Sequence, residues 1–174
     1  GGMPKKFVVF GAVMLASLLA DQLSKLWVIQ NLLLGNDPMC RVTPTSCEIS
    51  IIPGFLSVVH AQNFGAAFSS FEGQWGLFLV FTVVATVVVL DLMRRLQPDQ
   101  AFTAGILGLI LSGAWGNAID RVRLGHVTDF IRVYTDAQGP KEWLIERFGT
   151  NTWPIFNVAD SVLLIGVTLF LVHY

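Results

Sequence analysis

The hydrophobic positions of this chain fall into four long stretches separated by polar segments. They cover about residues 7–29, 75–92, 101–119 and 156–172. Each stretch is near the roughly 20 apolar residues that an α-helix needs to cross the hydrocarbon core of a bilayer. The pattern therefore predicts a mainly α-helical membrane protein, a single domain over residues 1–174 with four transmembrane helices in a bundle.

The third stretch differs from the others in its many small residues, which are Gly105, Gly108, Ser112, Gly113 and Gly116. Small side chains let the backbones of neighbouring helices approach closely within lipid. We therefore expect the third helix to lie at the centre of the bundle.

The polar segments between the stretches differ in length. Residues 93–100 form a short charged turn, whereas residues 31–74 and 121–154 are long loops on the opposite side of the membrane. Glu48–Gln62 is rich in Ile, Val, Phe and Ser around a Pro-Gly pair, which predicts short strands joined by a turn. Lys141–Phe148 carries apolar side chains on one helical face, which predicts one or two helical turns.

Composition agrees with a membrane protein. The chain is 53% hydrophobic and only 13% charged, with a mean hydropathy of +0.63, far more apolar than a typical soluble domain. A net charge of -1 and the lack of a Lys/Arg-rich run exclude a nucleic-acid surface, which needs a clustered basic patch. We expect membrane lipid and no nucleic acid among the partners.

Four helices put both termini on one side of the membrane, and the basic residues bear on which side that is. The terminal side carries Lys5, Lys6, Arg94 and Arg95, and the other side carries Lys25, Arg41, Arg121, Arg123, Arg132, Lys141 and Arg147. A raw count favours termini outside the cell. The positive-inside rule gives most weight to short loops and the first helix, so we expect cytoplasmic termini and extracytoplasmic long loops.

Two cysteines, Cys40 and Cys47, fall in the first long loop. In that orientation they face an oxidising compartment, where a disulfide persists. Two free thiols are an equally fair interpretation of the sequence.

Three of the four stretches carry polar residues at the end next to the long loops. These are Asp21 and Lys25 in the first, Asn117, Asp120 and Arg121 in the third, and Asn157 and Asp160 in the fourth. Within each stretch the spacing of three or four puts the residues on one helical face. We expect these polar groups to lie at one depth in the membrane. For Asp21 with Lys25, and for Asp120 with Arg121, the alternative to a functional role is an ion pair that holds the helices together.

Two aspartates are the candidates for chemistry. Asp129 follows the third stretch on a loop, with Arg132 as a possible structural partner, and Asp160 has no Lys or Arg three or four residues away. Carboxylates next to hydrocarbon are costly and are retained mainly for function. Two carboxyls close together share one proton, so one acts as general base and the other as general acid.

Other chemistries lack their sequence motifs. The chain has no His-Glu-x-x-His element, and His60, His126 and His173 have no ligand spacing. There is also no Gly-x-Ser-x-Gly element. A carboxylate pair needs no metal, so we expect neither a metal nor a cofactor.

Five blocks in order carry a resemblance to a known family. They are Asp21-Gln22-Leu23-Ser24-Lys25, Asn63-Phe64-Gly65-Ala66-Ala67-Phe68, Gly116-Asn117-Ala118-Ile119-Asp120-Arg121, Gly125-His126-Val127-Thr128-Asp129-Phe130 and Phe156-Asn157-Val158-Ala159-Asp160-Ser161. With them the chain resembles the bacterial lipoprotein signal peptidases (signal peptidase II), the family A8 aspartic proteases of the inner membrane.

The resemblance implies that Asp129 and Asp160 form a catalytic dyad. It also implies residues that shape the site or hold the substrate, namely Asp21, Lys25, Asn63, Gly65, Asn117, Asp120, Arg121, Asn157 and Ala159. It further implies a small periplasmic sheet, or cradle, over Glu48–Phe71 that rests on the membrane, and a periplasmic flap over Ile131–Trp153. The chain departs from the family pattern in the Cys40/Cys47 insertion and in its long segment 136–152.

The implied substrate is a prolipoprotein that carries diacylglyceryl on its lipobox cysteine. The enzyme would cut just before that cysteine, next to the periplasmic surface of the inner membrane, and we expect it to act as a monomer. Two other interpretations of the carboxylates stay open at this point: a small proton-coupled transporter and a non-catalytic assembly subunit.

Overall fold

The computed structural model of the chain describes residues 1–65 and 73–174. Its α-helices are α1 (Lys5–Asn31), α2 (Trp75–Arg95), α3 (Ala101–Leu124), α4 (Pro140–Phe148) and α5 (Val158–His173), and two short 3-10 helices cover Pro38–Arg41 and Pro44–Ser46. Its strands are β1 (Glu48–Ile52), β2 (Leu56–Asn63) and β3 (Val127–Val133). The protein is thus mainly helical, with a small three-stranded sheet between α1 and α2 and after α3.

Helices α1, α2, α3 and α5 cover the four apolar stretches, as predicted. The first three are long and apolar enough to cross a membrane, and α5 is a shorter apolar helix. α3 continues past its predicted end at residue 119 and stops at Leu124, where Gly125 takes a φ of 75°. Glycine adopts this left-handed conformation without strain, which is how many helices end. Arg121 therefore lies within the helix and not at the start of the long loop, on the same helix as Asn117 and Asp120.

The third helix lies at the centre of the bundle, as its small residues predicted, and it packs against α1, α2 and α5. A Cβ added at Gly108 would lie 3.0 Å from the backbone oxygen of Phe10 in α1. One added at Gly113 would lie 2.6 Å from Leu163 Cβ in α5. Backbones this close leave no room for a side chain, so the small residues set the helix spacing.

The sheet is antiparallel with the strand order β1-β2-β3. β1 and β2 form the predicted hairpin, and Gly54 in its turn has a φ of 76°. β3 corrects a prediction, because Asp129 lies in this strand and not on a loop. Its partner in the register is Ala61 of β2. The part of the implied cradle at residues 66–71 lies outside the described residues.

Two segments complete the loop side of the molecule. Residues 152–156 run back along β3 through isolated bridges, Tyr134 to Thr152 and Ile131 to Phe156, and lead directly into α5. α4 matches the predicted helical turns. Cys40 and Cys47 form a disulfide, which resolves the alternative of two free thiols.

Candidate active site

The start of α5 holds Asp160 in a fixed position. Asn157 is the N-cap of the helix, and its side-chain oxygen accepts a hydrogen bond of 2.9 Å from the backbone amide of Asp160. In return, Asp160 Oδ2 accepts one of 3.2 Å from the amide of Asn157. This reciprocal capping box satisfies two amides that the helix leaves unpaired. Asn117 Nδ2 of α3 donates to the other oxygen of Asp160 at 2.9 Å.

Asp129 is positioned by the sheet and by the same asparagine. It is 3% exposed, and its Oδ2 accepts a hydrogen bond of 3.1 Å from Asn63 Nδ2 at the end of β2. Its Oδ1 accepts one of 2.9 Å from Asn157 Nδ2. Asn157 therefore links Asp129 to the first turn of α5, and both aspartates line one cavity of about 540 Å³.

Burial changes the acidity of Asp129. Loss of hydration disfavours the charged carboxylate and raises its pKa to about 7, and the negative charge of Asp160 adds to the effect. Hydrogen bonds from Asn63 and Asn157 and the charge of Lys25 oppose this shift. Asp129 therefore exchanges its proton near neutral pH. Arg132, the possible partner from the sequence, instead pairs with Glu48 at 2.7 Å.

A buried ion cluster lies beside the two carboxyls. Lys25 Nζ is 2.8 Å from Asp21 Oδ2 and 3.1 Å from Asp120 Oδ2, and all three side chains are at most 3% exposed. Lys25 also donates to Asn117 Oδ1 at 3.2 Å. The predicted pairing of Asp21 with Lys25 is confirmed, whereas Asp120 forms its salt bridge with Lys25 and not with Arg121.

The cluster reaches both aspartates through the backbone. Asp21 Oδ1 accepts a hydrogen bond of 2.8 Å from the amide of Ala159, the residue before Asp160. Asp120 Oδ2 accepts one of 3.0 Å from the amide of Thr128, the residue before Asp129. The ion cluster therefore connects α1 to the start of α5, which carries Asp160, and connects α3 to β3, which carries Asp129.

Close helix packing holds this arrangement together at Gly116. A Cβ added there would lie 2.5 Å from Asp21 Oδ2 and 2.9 Å from Ala159 Cβ. The backbone oxygen of Gly116 accepts hydrogen bonds from Gln22 Nε2 at 3.1 Å and Lys25 Nζ at 3.2 Å. Glycine is required here because three helices meet at this point.

Arg121 lies at the rim of the cavity. Its Nη2 donates to the backbone oxygen of Gly65 at 3.3 Å, and its guanidinium lies 4.1 Å from the centre of the Phe78 ring. Both Asn63 and Gly65 also line the cavity. His126 packs against Phe64, with ring centres 5.4 Å apart.

The walls of the cavity away from the aspartates are apolar. α2, α3 and α5 contribute Phe78, Phe81, Ala85, Ile110, Ala114, Leu163 and Leu164. α2 packs mainly on α3, so the cavity runs as a groove between α2 and α5 towards the lipid-facing side of the bundle. A substrate with one apolar and one polar part fits this shape.

The structure brings together all the site residues that the sequence predicted, in two groups. Asn63, Gly65, Asn117, Arg121, Asp129 and Asp160 line the cavity, while Asp21, Lys25, Asp120, Asn157 and Ala159 lie behind it. The sequence did not single out Gln22, Thr128 or Phe78. Among residues 1–65 and 73–174, no group of three or more His, Cys, Asp or Glu is arranged to hold a metal ion.

Comparison with known proteins gives a consistent result. Residues 13–174 match the family model described as Signal peptidase (SPase) II. A lipoprotein signal peptidase from Geobacter metallireducens is 37% identical over 170 residues, which cover 96% of this chain and 90% of that protein. One from Enterococcus faecalis is 35% identical over 171 residues, covering 98% and 90%.

The fold also has a counterpart among solved structures. A bacterial membrane enzyme solved by the in meso method at 2.3 Å resolution superposes with a TM-score of 0.73 at 27% identity. The match covers 94% of this chain and 85% of that chain. The sequence similarity and the fold similarity therefore both extend over nearly the full chain.

Proposed function

Because this chain belongs to the signal peptidase II family, the aspartic peptidases that remove signal peptides from prolipoproteins, we propose that Asp129 and Asp160 are its catalytic residues. One observation carries the proposal. The buried carboxyl of Asp129 and the half-buried carboxyl of Asp160 line a single cavity, and Asn157 contacts the side chain of Asp129 and the backbone of Asp160. The remaining wall of that cavity is apolar and suits a signal peptide.

In the proposed mechanism the pair shares one proton, which we assign to Asp129, the more buried of the two carboxyls and the one whose pKa is raised to about 7. Ionised Asp160 takes a proton from water as the water oxygen attacks the peptide carbonyl carbon. Asp129 protonates the carbonyl oxygen at the same step, which gives a neutral tetrahedral diol. Asp160 then protonates the leaving nitrogen, the C–N bond breaks, and Asp129 recovers its proton from the diol.

The substrate is a prolipoprotein with a diacylglyceryl group on the cysteine that follows the cleaved bond. Acyl chains and an apolar signal helix both stay in hydrocarbon, since each buried CH₂ contributes about 0.8 kcal/mol. The groove between α2 and α5 accepts such groups directly from lipid, with Phe81 and Leu164 along its walls. Cleavage just before the modified cysteine keeps that residue on the product.

The protein is proposed to act as a monomer in the bacterial inner membrane, since one chain supplies both carboxyls and their supporting groups. α5 forms the fourth span, both termini are cytoplasmic, and the sheet and α4 are periplasmic. The Cys40–Cys47 disulfide supports this orientation, because disulfides persist in oxidising compartments. The segment from Ile131 to Trp153 acts as a flap, and Trp153 already lines the cavity.

The catalytic assignment is tested by Asp129→Asn and Asp160→Asn, which keep the shape of the side chain and remove its ability to exchange a proton. We expect each variant to lose cleavage of a diacylglycerylated precursor while it still unfolds cooperatively, with a thermal midpoint no lower than that of the wild type. Asp99→Asn is the matched control, since Asp99 is an exposed carboxylate between α2 and α3, outside the site and the flap. Full activity in a folded Asp160→Asn variant would contradict the mechanism.

The orientation is tested with reporters fused after Tyr174. A reporter that fluoresces only in the cytoplasm should be active there, and thiol labelling of intact cells should show Cys40 and Cys47 oxidised. A reporter active only in the periplasm would reverse the proposed topology.

A further inference from the structure

A second cavity, here called the polar cavity, lies beside the first. It measures about 310 Å³ and its walls include Cys40, Cys47, Glu48, His60, Arg132 and Ile155. None of the polar side chains among these has a part in the proposed cleavage chemistry. The disulfide therefore forms part of the wall of a space that the proposed mechanism leaves unexplained.

The polar cavity adjoins the catalytic residues at two points. Ile155 lines both cavities. Ala61 lines the polar cavity and is the register partner of Asp129 across β2 and β3. Opposite residues in an antiparallel pair have Cα atoms roughly 4.5–5.5 Å apart. An extended chain spans that distance in about two residues, so the polar cavity begins about two residues away from Asp129.

The side chains around the polar cavity are held in place and retain hydrogen-bonding capacity. Glu48 Oε1 accepts hydrogen bonds from Arg132 Nη1 at 2.7 Å and Ser57 Oγ at 2.5 Å. The guanidinium of Arg132 also lies 3.9 Å from the centre of the Tyr134 ring. Glu48 and Arg132 together present a neutral but strongly polar pair.

His60 adds a buried group to the same wall. It is 8% exposed, and its Nδ1 lies 3.0 Å from the backbone oxygen of Leu32. Since a carbonyl only accepts, Nδ1 carries the hydrogen. Nε2 has no hydrogen-bond partner among residues 1–65 and 73–174. A polar ligand in the cavity would supply that partner.

We propose that the polar cavity binds the second and third residues after the cleaved bond, the first polar residues of the mature lipoprotein. This inference rests on the proposed function. The apolar groove takes the signal peptide and the acyl chains, so the polypeptide on the other side of the bond leaves towards water. An extended chain that passes Asp129 reaches the polar cavity after one residue, the modified cysteine.

The Glu48–Arg132 pair gives the polar cavity a charge preference. An acidic residue competes with Glu48 for Arg132, and a basic residue competes with Arg132 for Glu48. Each breaks a hydrogen-bonded ion pair, whereas an uncharged polar residue leaves the pair intact. Uncharged polar residues such as serine or asparagine are therefore preferred at the second and third positions.

The test compares precursors that carry Asn, Asp or Lys at the second residue after the bond. Glu48→Gln keeps the acceptor for Ser57 and leaves Arg132 unneutralised, so it should favour the Asp precursor. Arg132→Gln leaves Glu48 unneutralised and should favour the Lys precursor. We expect the Asp-to-Lys ratio of kcat/KM to move about 10-fold in opposite directions in the two variants, as for a gain or loss of one charge contact.

The exposed pair Asp91–Arg95 of α2, outside the site and the flap, supplies the control. Arg95→Gln should leave the ratio unchanged. An equal ratio in wild type and both variants, with normal cleavage of the Asn precursor, would overturn the polar cavity as a binding site. Failure of the wild type to cleave any precursor would instead contradict the proposed function.

A second measurement does not depend on the folding of those variants. A photoreactive residue at the second position after the bond, bound to Asp160→Asn enzyme, should crosslink to Val59–Ala61 or to residues 40–47. The same group placed six residues before the bond should crosslink to α2 or α5. Crosslinks of the first probe only to α2 or α5, or no crosslink to the enzyme, would contradict the proposal.

Discussion

Asn157 donates a hydrogen bond of 2.9 Å from Nδ2 to Asp129 Oδ1. The same side chain is completely buried and caps the helix that carries Asp160. One amide group therefore has two separable tasks. Its oxygen caps the N-terminus of α5, and its nitrogen orients the carboxyl of Asp129 on β3.

These tasks separate in two substitutions. Asn157→Ser keeps a good N-cap, whereas Asn157→Ala removes it and should cost about 0.5–2 kcal/mol more in stability. Both remove the Nδ2–H group that reaches Asp129, and the serine hydroxyl ends one bond short of it, so we expect kcat to fall about 100-fold in each, as for a misplaced reacting group. Cleavage assays and thermal unfolding of the two variants check this. Normal kcat in Asn157→Ser would show that the bond to Asp129 is dispensable.

The acidity of Asp129 predicts an alkaline limit on activity. Asp129 supplies a proton in the proposed mechanism, so kcat/KM should fall as pH rises through about 7. The measurement is a pH profile with a precursor that has no group titrating nearby. A profile that stays level to pH 9 would contradict the assignment of the proton to Asp129.

The same shift has a consequence for stability. The folded protein holds the Asp129 proton up to about pH 7, whereas the unfolded chain releases it near the ordinary value of 3.8. Because the folded state binds more protons in this window, stability falls as pH rises through it. Asp129→Asn removes this dependence, so its unfolding midpoint should exceed that of the wild type at pH 8. The raised pKa would be rejected if Asp129→Asn had a lower midpoint than the wild type at pH 8 and its stability depended on pH as steeply as that of the wild type.

Lys25 predicts a non-additive pair of substitutions. Lys25→Met leaves Asp21 and Asp120 buried without a counter-ion, and breaking such a pair costs about 3–5 kcal/mol. Adding Asp120→Asn removes one of the two charges and keeps an oxygen for the amide of Thr128. The double variant should therefore unfold at a higher temperature than Lys25→Met alone. If the two effects simply add, the buried charges do not act as one cluster.

Gly116 and Gly105 in α3 form a matched pair for testing close packing. An alanine Cβ at Gly116 would meet Asp21 Oδ2 at 2.5 Å, whereas one at Gly105 would meet Val9 Cγ1 at an ordinary 3.5 Å. Gly116→Ala should cost about 1–3 kcal/mol through overpacking and should displace Asp21 from the amide of Ala159, with a loss of kcat.

Gly105→Ala should be neutral or stabilising by up to about 1 kcal/mol, because alanine favours the helix more than glycine does. The measurement compares the unfolding midpoints and cleavage rates of Gly116→Ala and Gly105→Ala. Equal behaviour of the two would mean that the contact at Gly116 does not position the site.

The helices were predictable because apolar runs and polar helix ends are local properties of the sequence. The spacing of three predicted that Asn157 and Asp160 share a helical face, but the capping box between them was not predicted. β3 was not predicted, since its ladder depends on residues such as Ala61 that are remote in the sequence. Phe78 was also missed, because α2 is apolar on all sides and hydropathy does not reveal which side faces the groove.

The capping box of α5 ties activity to the completion of folding. Asp160 accepts a hydrogen bond from the backbone amide of Asn157 in the first turn of the helix. The carboxyl therefore reaches its position only when that turn forms. A chain whose α5 has not yet formed lacks a placed Asp160, a placed Asn157 and one wall of the groove at the same time. Under the proposed mechanism, cleavage therefore becomes possible only when α5 forms, and a partly assembled chain cannot cut neighbouring membrane proteins.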